Sequence, residues 1–454
     1  MPTLCSKVHA SVRRALVRRV TALFAIAMSV LVGVSGCHGV LETTDPTLIR
    51  DQDIANAAGA NARRLSVEQS FHGYFSLTFK EVALITDEMG YDQRRQYLGP
   101  YSNDTYGLDI RDQAQYLATH GGAFDDPHLG NLDWVMTTSS VAIPSIRKYS
   151  PDSLKHDFLA QMYAYRGVNI VQMAEDICSG FPINEVTEDN QPVMAAGYTT
   201  DSALAYAIAQ LDSTIVNVKD STSYLNLARV YKGRALLDLG KFTEAAAAVA
   251  DVPDDFTYRS NPNGYNSFVL CQWCDWQGNG FPIGDGEGGN GLHFVSEHDP
   301  RSPTHYVQGR IDVSTDSEFT TDKYTNVNDP FIIASGLEKR LILAEAALHD
   351  HDASWLTILN SLRATVGLGA QSDFATDSAR VDFLYHERAF WLFLTGHRLG
   401  DLRRLMRLYG RKADDIYPKG VYPLGGTYHS ATSIPFNFNG EALYNFKLTH
   451  GCTD

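Results

Sequence analysis

The sequence predicts a mostly α-helical, exported protein in which antiparallel helical pairs carry long irregular loop insertions. Apolar residues recur at three- and four-residue steps in several separated blocks, the spacing of amphipathic helices. Neither a strand-helix alternation of the doubly wound kind nor a sustained heptad pattern runs through the chain. A basic, then apolar, N-terminal segment adds the prediction of export.

That segment is read first. Residues 1–36 contain Lys7, Arg13, Arg14, Arg18 and Arg19 and no acid, followed by an almost uncharged apolar run from Val20 to Val34. Spanning a bilayer as a helix needs roughly 20 apolar residues, so a run this short is predicted to be a cleaved signal peptide. Neither arginine pair sits in a full twin-arginine motif. The run ends Leu31-Val32-Gly33-Val34-Ser35-Gly36-Cys37, which resembles a bacterial lipobox: an apolar residue, two small residues, then the cysteine that receives lipid. Cys37 is therefore the expected lipidation site, and acyl chains contribute about 0.8 kcal/mol per buried methylene toward membrane anchoring. Residues 37–52 would be the lipidated cysteine and its tether, and 53–454 a single helical domain.

The formal net charge of -15 includes the five positive groups of the leader, so removing them leaves -20. Such a surface repels nucleic acid and anionic polymers and leaves neutral ligands and cationic partners open. Beyond Cys37 the chain holds Cys178, Cys271, Cys274 and Cys452, an even number that in an oxidising compartment predicts one or two disulfides. The Cys271-Gln-Trp-Cys274 spacing lacks the strand-then-helix context of a redox site and is read as a loop staple. No cofactor and no metal site are expected. A tetrathiolate zinc site would need a second close cysteine pair, and the "GDGEGGN" run with Asp285, Glu287 and Asn290 lacks the twelve-residue EF-hand pattern.

Helical spacing begins near Asp53 and continues intermittently to Leu84. Residues 86–130 then turn polar and aromatic, a loop-rich surface region. From Ser153 to Ile177, Leu159, Met162, Tyr163, Ile170 and Met173 form one stripe that also contains Arg166, which therefore needs an acidic or carbonyl partner. Residues 201–252 read as a tetratricopeptide-like helical pair with a preceding helix: Gly233, Leu236, Gly240, Phe242 and Ala245 fall close to that repeat's spacing, and Gly240 marks the turn. A second, less regular pair is predicted over 332–365, from the stripe Leu337, Leu341, Ala344 and Leu348 and its mate Trp355 to Thr365. Between the pairs, 254–330 is a long Gly- and Asp-rich insertion with several aromatics, a length that in a compact chain points to function.

The stretch Asp382 to Arg404, "DFLYHERAFWLFLTGHRLGDLRR", resembles the signature near the end of SusD/RagB proteins. Glu387, Arg388, Gly396, His397, Arg398, Asp401, Leu402, Arg403 and Arg404 occupy the matching positions. Thr395 and Leu399 depart from the family's usual acid and aromatic. The lipobox, "YAYRGVNIVQMAEDICSGFPI", "ARVYKGRALLDLGKFTEA" and "EKRLILAEAAL" followed by "LNSLR" agree with the order of features in that family. The resemblance implies a tetratricopeptide-like helical scaffold with an irregular ligand face. It also implies a surface-exposed outer-membrane lipoprotein that captures oligosaccharides or other nutrients and delivers them to a SusC-like TonB-dependent transporter. Read from its residues, the signature looks structural: its arginines and Asp401 are suited to charge-assisted hydrogen bonds at a helix end, and His397 with Asp401 lacks a nucleophile.

Sugar capture uses aromatic faces against pyranose rings, with amides and carboxylates reading hydroxyls. Two segments supply that mixture, one with Tyr97, Tyr101, Asn103, Asp104 and Tyr106, the other with Trp273, Trp276, Gln277 and Asn279. No phosphate-cradling glycine loop and no nucleophile elbow is present. A helical glycan-degrading enzyme and a protein-only repeat scaffold are the alternative readings.

Overall fold

The computed structural model describes residues 53–90, 106–114, 127–187, 191–193, 197–261, 282–308, 317–326, 329–423 and 425–435. Among them, helices of eight residues or more are α1 (Ala57–Ile85), α2 (Pro127–Tyr149), α3 (Asp152–Asp176), α4 (Thr200–Asn217) and α5 (Thr222–Asp238). They continue with α6 (Phe242–Val249), α7 (Gly336–His349), α8 (Ser354–Thr365), α9 (Asp377–Trp391) and α10 (Arg398–Tyr409). Each starts where the sequence supplies a cap or a break. Asn56, Thr199, Ser221, Ser335 and Thr376 accept backbone N–H groups of the first turn through their side chains. Pro151 precedes α3 and Gly410, at φ +66°, ends α10.

From α1 through α8, consecutive helices pack against each other, while α10 packs back onto α1 and α3. Close approach inside the predicted repeat depends on Gly233: a Cβ there would lie 2.4 Å from Val249 Cγ1 on α6. No helix of the described residues is long and apolar enough to cross a membrane.

The expected helices over 153–177, 201–216, 223–253 and 355–365 are found, with ends shifted by a few residues. Two expectations need correction. The helical reading of 332–348 begins too early, because Ile332–Ser335 is strand β6, paired antiparallel with β3 (Thr257–Arg259); the β-branched pair Ile332-Ile333 fits an extended backbone before Ser335 caps the helix. Neither insertion is wholly irregular or superficial. Thr86 to Met89 is fully buried, and the second insertion carries an antiparallel hairpin, β4 (Thr304–Gln308) with β5 (Ser317–Thr321), besides β3. Among the described residues, a small ribbon of β1 (Glu185–Val186) and β2 (Pro192–Val193) completes the strands.

The buried arginine predicted on α3 does have its partners: Arg166 is bonded to Glu185, to Tyr206 Oη at 2.9 Å and to Ser139 Oγ at 3.0 Å. Cys178 is 1% exposed and disulfide-bonded. Cys271, Cys274 and Cys452 lie outside the described residues, as do Cys37 and the segment around it.

Candidate functional site

The chain leaves α1 at Thr86 and reaches Gly90, where the first predicted ligand segment begins. Thr86 holds the helix end by donating its hydroxyl to Val82 O at 2.9 Å. Gly90 N donates to Pro282 O at 2.9 Å and Gly284 N donates to Glu88 O at 3.0 Å, with Met89 and Ile283 paired as an antiparallel bridge. Pro282 and Ile283 are where the chain re-emerges from 262–281, the segment carrying Trp273 and Trp276. Ile283 N in turn donates to Phe319 O at 2.9 Å, which attaches the β4–β5 hairpin to the same place. Three loop stems distant in sequence therefore meet at one corner.

The hairpin brings an aromatic pair there. Tyr306 and Phe319 face each other across the ladder, edge to face at 5.7 Å between centroids, and are 54% and 37% exposed. Aromatic area left open to water beside loop stems in this way offers a surface for stacking. Within about 7 Å of chain from Ile283, a cavity of about 470 Å³ opens between Asp285 to Gly289 and Lys419, Gly420, Val421 and Pro423. That volume lies within the usual range of small-ligand sites. Glu287 borders it with a carboxyl raised to about 8 by burial, then by Asp109 and Asp87. Among the described residues, no group of three or more His, Cys, Asp or Glu side chains could hold a metal ion.

Beneath the corner lies the C-terminal signature, and the charged residues at its matching positions, Glu387, Arg388, Arg398, Asp401, Arg403 and Arg404, are all buried. Arg398 grips Asp87 through two bonds of 2.7 and 2.8 Å, and Asp87 also accepts Leu292 N at 2.8 Å. Arg388 binds Asp401 in the same two-pronged way at 2.9 and 2.8 Å. Arg404 joins Glu345, Asp238 and Asp401. Glu387 takes Arg301 at 2.6 Å and Arg363 on its other oxygen.

Arg403 donates to the carbonyl oxygens of Ala174, Glu175 and Ile177 at 2.7 to 3.0 Å, filling acceptors that the end of α3 leaves open. Gly396, at φ +75°, lies so near the α1 ring of Phe79 that a Cβ would be 2.3 Å from Cδ1. Burial and then Arg234, which donates to its Nε2, lower His397 from its ordinary value, while its Nδ1 is 3.0 Å from Thr395 O. Burial alone would raise Glu338, but Arg234 and then His397 bring it down to about 2.

No family model matches the sequence, and no curated protein is significantly similar to it. Solved structures do match. A SusD-like carbohydrate binding protein from Bacteroides vulgatus superposes with a TM-score of 0.62 at 12% identity, over 87% of this chain and 99% of that one. Surface glycan-binding protein A from Bacteroides thetaiotaomicron gives 0.63 at 11% identity, over 87% and 99%. A laminarin binding SusD-like protein gives 0.57 at 14% identity, over 84% and 98%. The chain has the SusD-like fold.

On that SusD-like scaffold Arg398, Asp401, Arg403 and Arg404 lie in the first two turns of α10, at a helix end as the sequence reading put them, while Arg388 lies in the last turn of α9. None of the signature's charged side chains reaches the exposed corner. Of the sequence-predicted ligand residues, Tyr97, Tyr101, Asn103, Trp273, Trp276, Gln277 and Asn279 lie outside the described residues, and of Tyr106 only the backbone, opening a short helix, is described. Tyr306 and Phe319 were missed, although Thr304 to Val307 and Glu318 to Thr321 carry the β-branched and aromatic mixture of strands. Asp87 and Glu88 read in sequence as one ordinary acid pair among many. Only the fold reveals that both face the signature.

Proposed function

We propose that this chain is an outer-membrane, lipid-anchored binding protein that captures an oligosaccharide at the loop-stem corner and passes it to a SusC-like TonB-dependent transporter. The observation that carries the reading is the convergence of three loop stems beside the exposed Tyr306–Phe319 pair. Carbohydrate capture is supported by the fold, since the proteins it resembles are described as carbohydrate-, glycan- or laminarin-binding. Anchoring is supported by the lipobox ending at Cys37.

The reading assigns ligand contact first to Tyr306 and Phe319. By their chain positions between the stems it extends to Tyr97, Tyr101, Asn103, Tyr106, Trp273, Trp276, Gln277 and Asn279. Binding without turnover is supported by the acids beneath the corner: Asp87 is locked to Arg398 and Glu88 to a backbone amide. Glycoside hydrolysis needs a pair of opposed, addressable carboxyls.

The test is to pass the purified mature protein over an array of neutral and acidic polysaccharides while assaying released sugar. Retention of at least one glycan without sugar release is expected. Turnover that disappears on changing a single acid would favour the enzyme, and binding to no glycan would refute capture.

A further inference from the structure

The turn joining α9 to α10, Leu392 to His397, is gripped from both sides by residues of the corner. Leu394 sits at φ +52°, a left-handed conformation that a leucine rarely holds without outside support. Glu88 Oε1 accepts Leu394 N at 2.7 Å, and Tyr324 Oη donates to Leu394 O at 3.0 Å. Lys323 Nζ donates to Phe393 O. Glu88 belongs to the stem that pairs with Gly284, and Lys323 and Tyr324 lie two and three residues past β5, whose Phe319 O accepts Ile283 N. Every stem of the corner is thus tied, directly or through one backbone bond, to a single strained turn of the signature.

We infer that Glu88 and Lys323 latch the loop-stem corner: by gripping the Leu392–His397 turn they fix how the Gly90, Ile283 and Phe319 stems stand relative to one another. The inference uses the corner that the proposed function assigns to ligand, but the latch exists whether or not a glycan binds. The charged and titratable groups facing Glu88 are Asp87 beside it, Arg398 from α10, and Lys323 and Tyr324 after β5. Burial, opposed by the Leu394 amide and reinforced by Asp87, sets the Glu88 carboxyl at about 7, while burial lowers the Lys323 ammonium to about 8.

The direction of the pH effect follows. A carboxyl that titrates near 7 when latched, and near its ordinary 4.5 when the latch opens into water, favours the latched state most strongly below 4.5; that advantage is lost as pH rises through 7. For Lys323, lowered when latched, the advantage is present above its ordinary 10.5 and lost as pH falls through 8. Between pH 5 and 8 the Lys323 effect changes little, so Glu88 dominates and the latch loosens as pH rises.

The experiment is hydrogen exchange on the whole mature chain without glycan, corrected for the intrinsic pH dependence of exchange. Protection of the Gly90, Gly284 and Leu394 amides should fall by roughly tenfold or more between pH 5 and 8, relative to amides within α5. Glu88→Gln keeps an acceptor for Leu394 N but cannot ionise, so its profile should be flat over that range. A Glu88→Gln profile that still falls like the wild type, or a wild-type profile at the corner that only parallels α5, would overturn the inference; the second comparison needs no variant to fold. A protein that binds no glycan yet shows the pH-dependent corner would refute capture and leave the latch standing.

Discussion

Arg404 offers the sharpest test of what the signature does. Its guanidinium is 1% exposed, donating to Asp238 at 2.6 Å, to both oxygens of Glu345 at 2.9 and 3.1 Å, and to Asp401 at 2.7 Å. In Arg404→Met the apolar packing is largely kept and the charge is lost. Asp401 retains Arg388, and Glu345 retains the hydroxyls of Tyr385 and Tyr409 at 2.8 and 3.1 Å. Asp238 and Glu345 nevertheless lose their closest cation in a dry interior. Breaking a buried ion network from one side costs about 3–5 kcal/mol, a large part of a typical total of about 5–15 kcal/mol.

The compact unit Ala55–Asp454 has 400 residues. At about 2.1 cal/mol/K of unfolding entropy per residue, a loss of that size lowers the melting temperature by about 4–6 °C. Scanning calorimetry on wild type and variant measures this directly. Adding Asp238→Asn to Arg404→Met should recover part of the loss, because it removes one of the stranded charges. A shift below about 1 °C in the single variant, or a further drop in the double, would refute the view that these arginines hold the scaffold by neutralising buried acids.

Other consequences follow from the same structure. Gly396→Ala combines a left-handed backbone with a Cβ 2.3 Å from Phe79 Cδ1, so it should cost about 3 kcal/mol or more, seen as a lower denaturation midpoint at unchanged slope; an unchanged midpoint would contradict the close packing of the turn on α1. Cys37→Ser should abolish incorporation of labelled palmitate and release the chain from the membrane fraction, whereas a wild-type chain that takes up no label would remove the anchor from the account.

Much of the scaffold is legible in the sequence because it obeys local rules. Apolar periodicity exposes α3, α4, α5 and α8, and the spacing around Gly233 marks a close helical pair. Strand β6 was hidden because Ile332 to Ser335 runs straight into an amphipathic helix, and its partner β3 lies more than seventy residues earlier. Long-range pairing leaves no local period to read.

The same reason explains Asp87 and Glu88. Their importance comes from Arg398 and Leu394, about three hundred residues away in the chain, and nothing in their own neighbourhood distinguishes them from other acid pairs. The Tyr306–Phe319 pair depends on the register of a hairpin inside a Gly- and Asp-rich stretch that reads as loop. By contrast, the signature was visible as a pattern, but its placement across the turn from α9 into α10, beneath three loop stems, depends on tertiary packing.

The claim that the loop-stem corner captures carbohydrate is tested most directly by calorimetric titration of an array-selected glycan into wild-type protein and into Tyr306→Ala/Phe319→Ala. Losing a stacking face worth about 1.5 kcal/mol should weaken affinity by about tenfold or more, with the melting temperature nearly unchanged because both rings are exposed. Equal affinity in the two proteins would contradict the assignment of ligand to this corner.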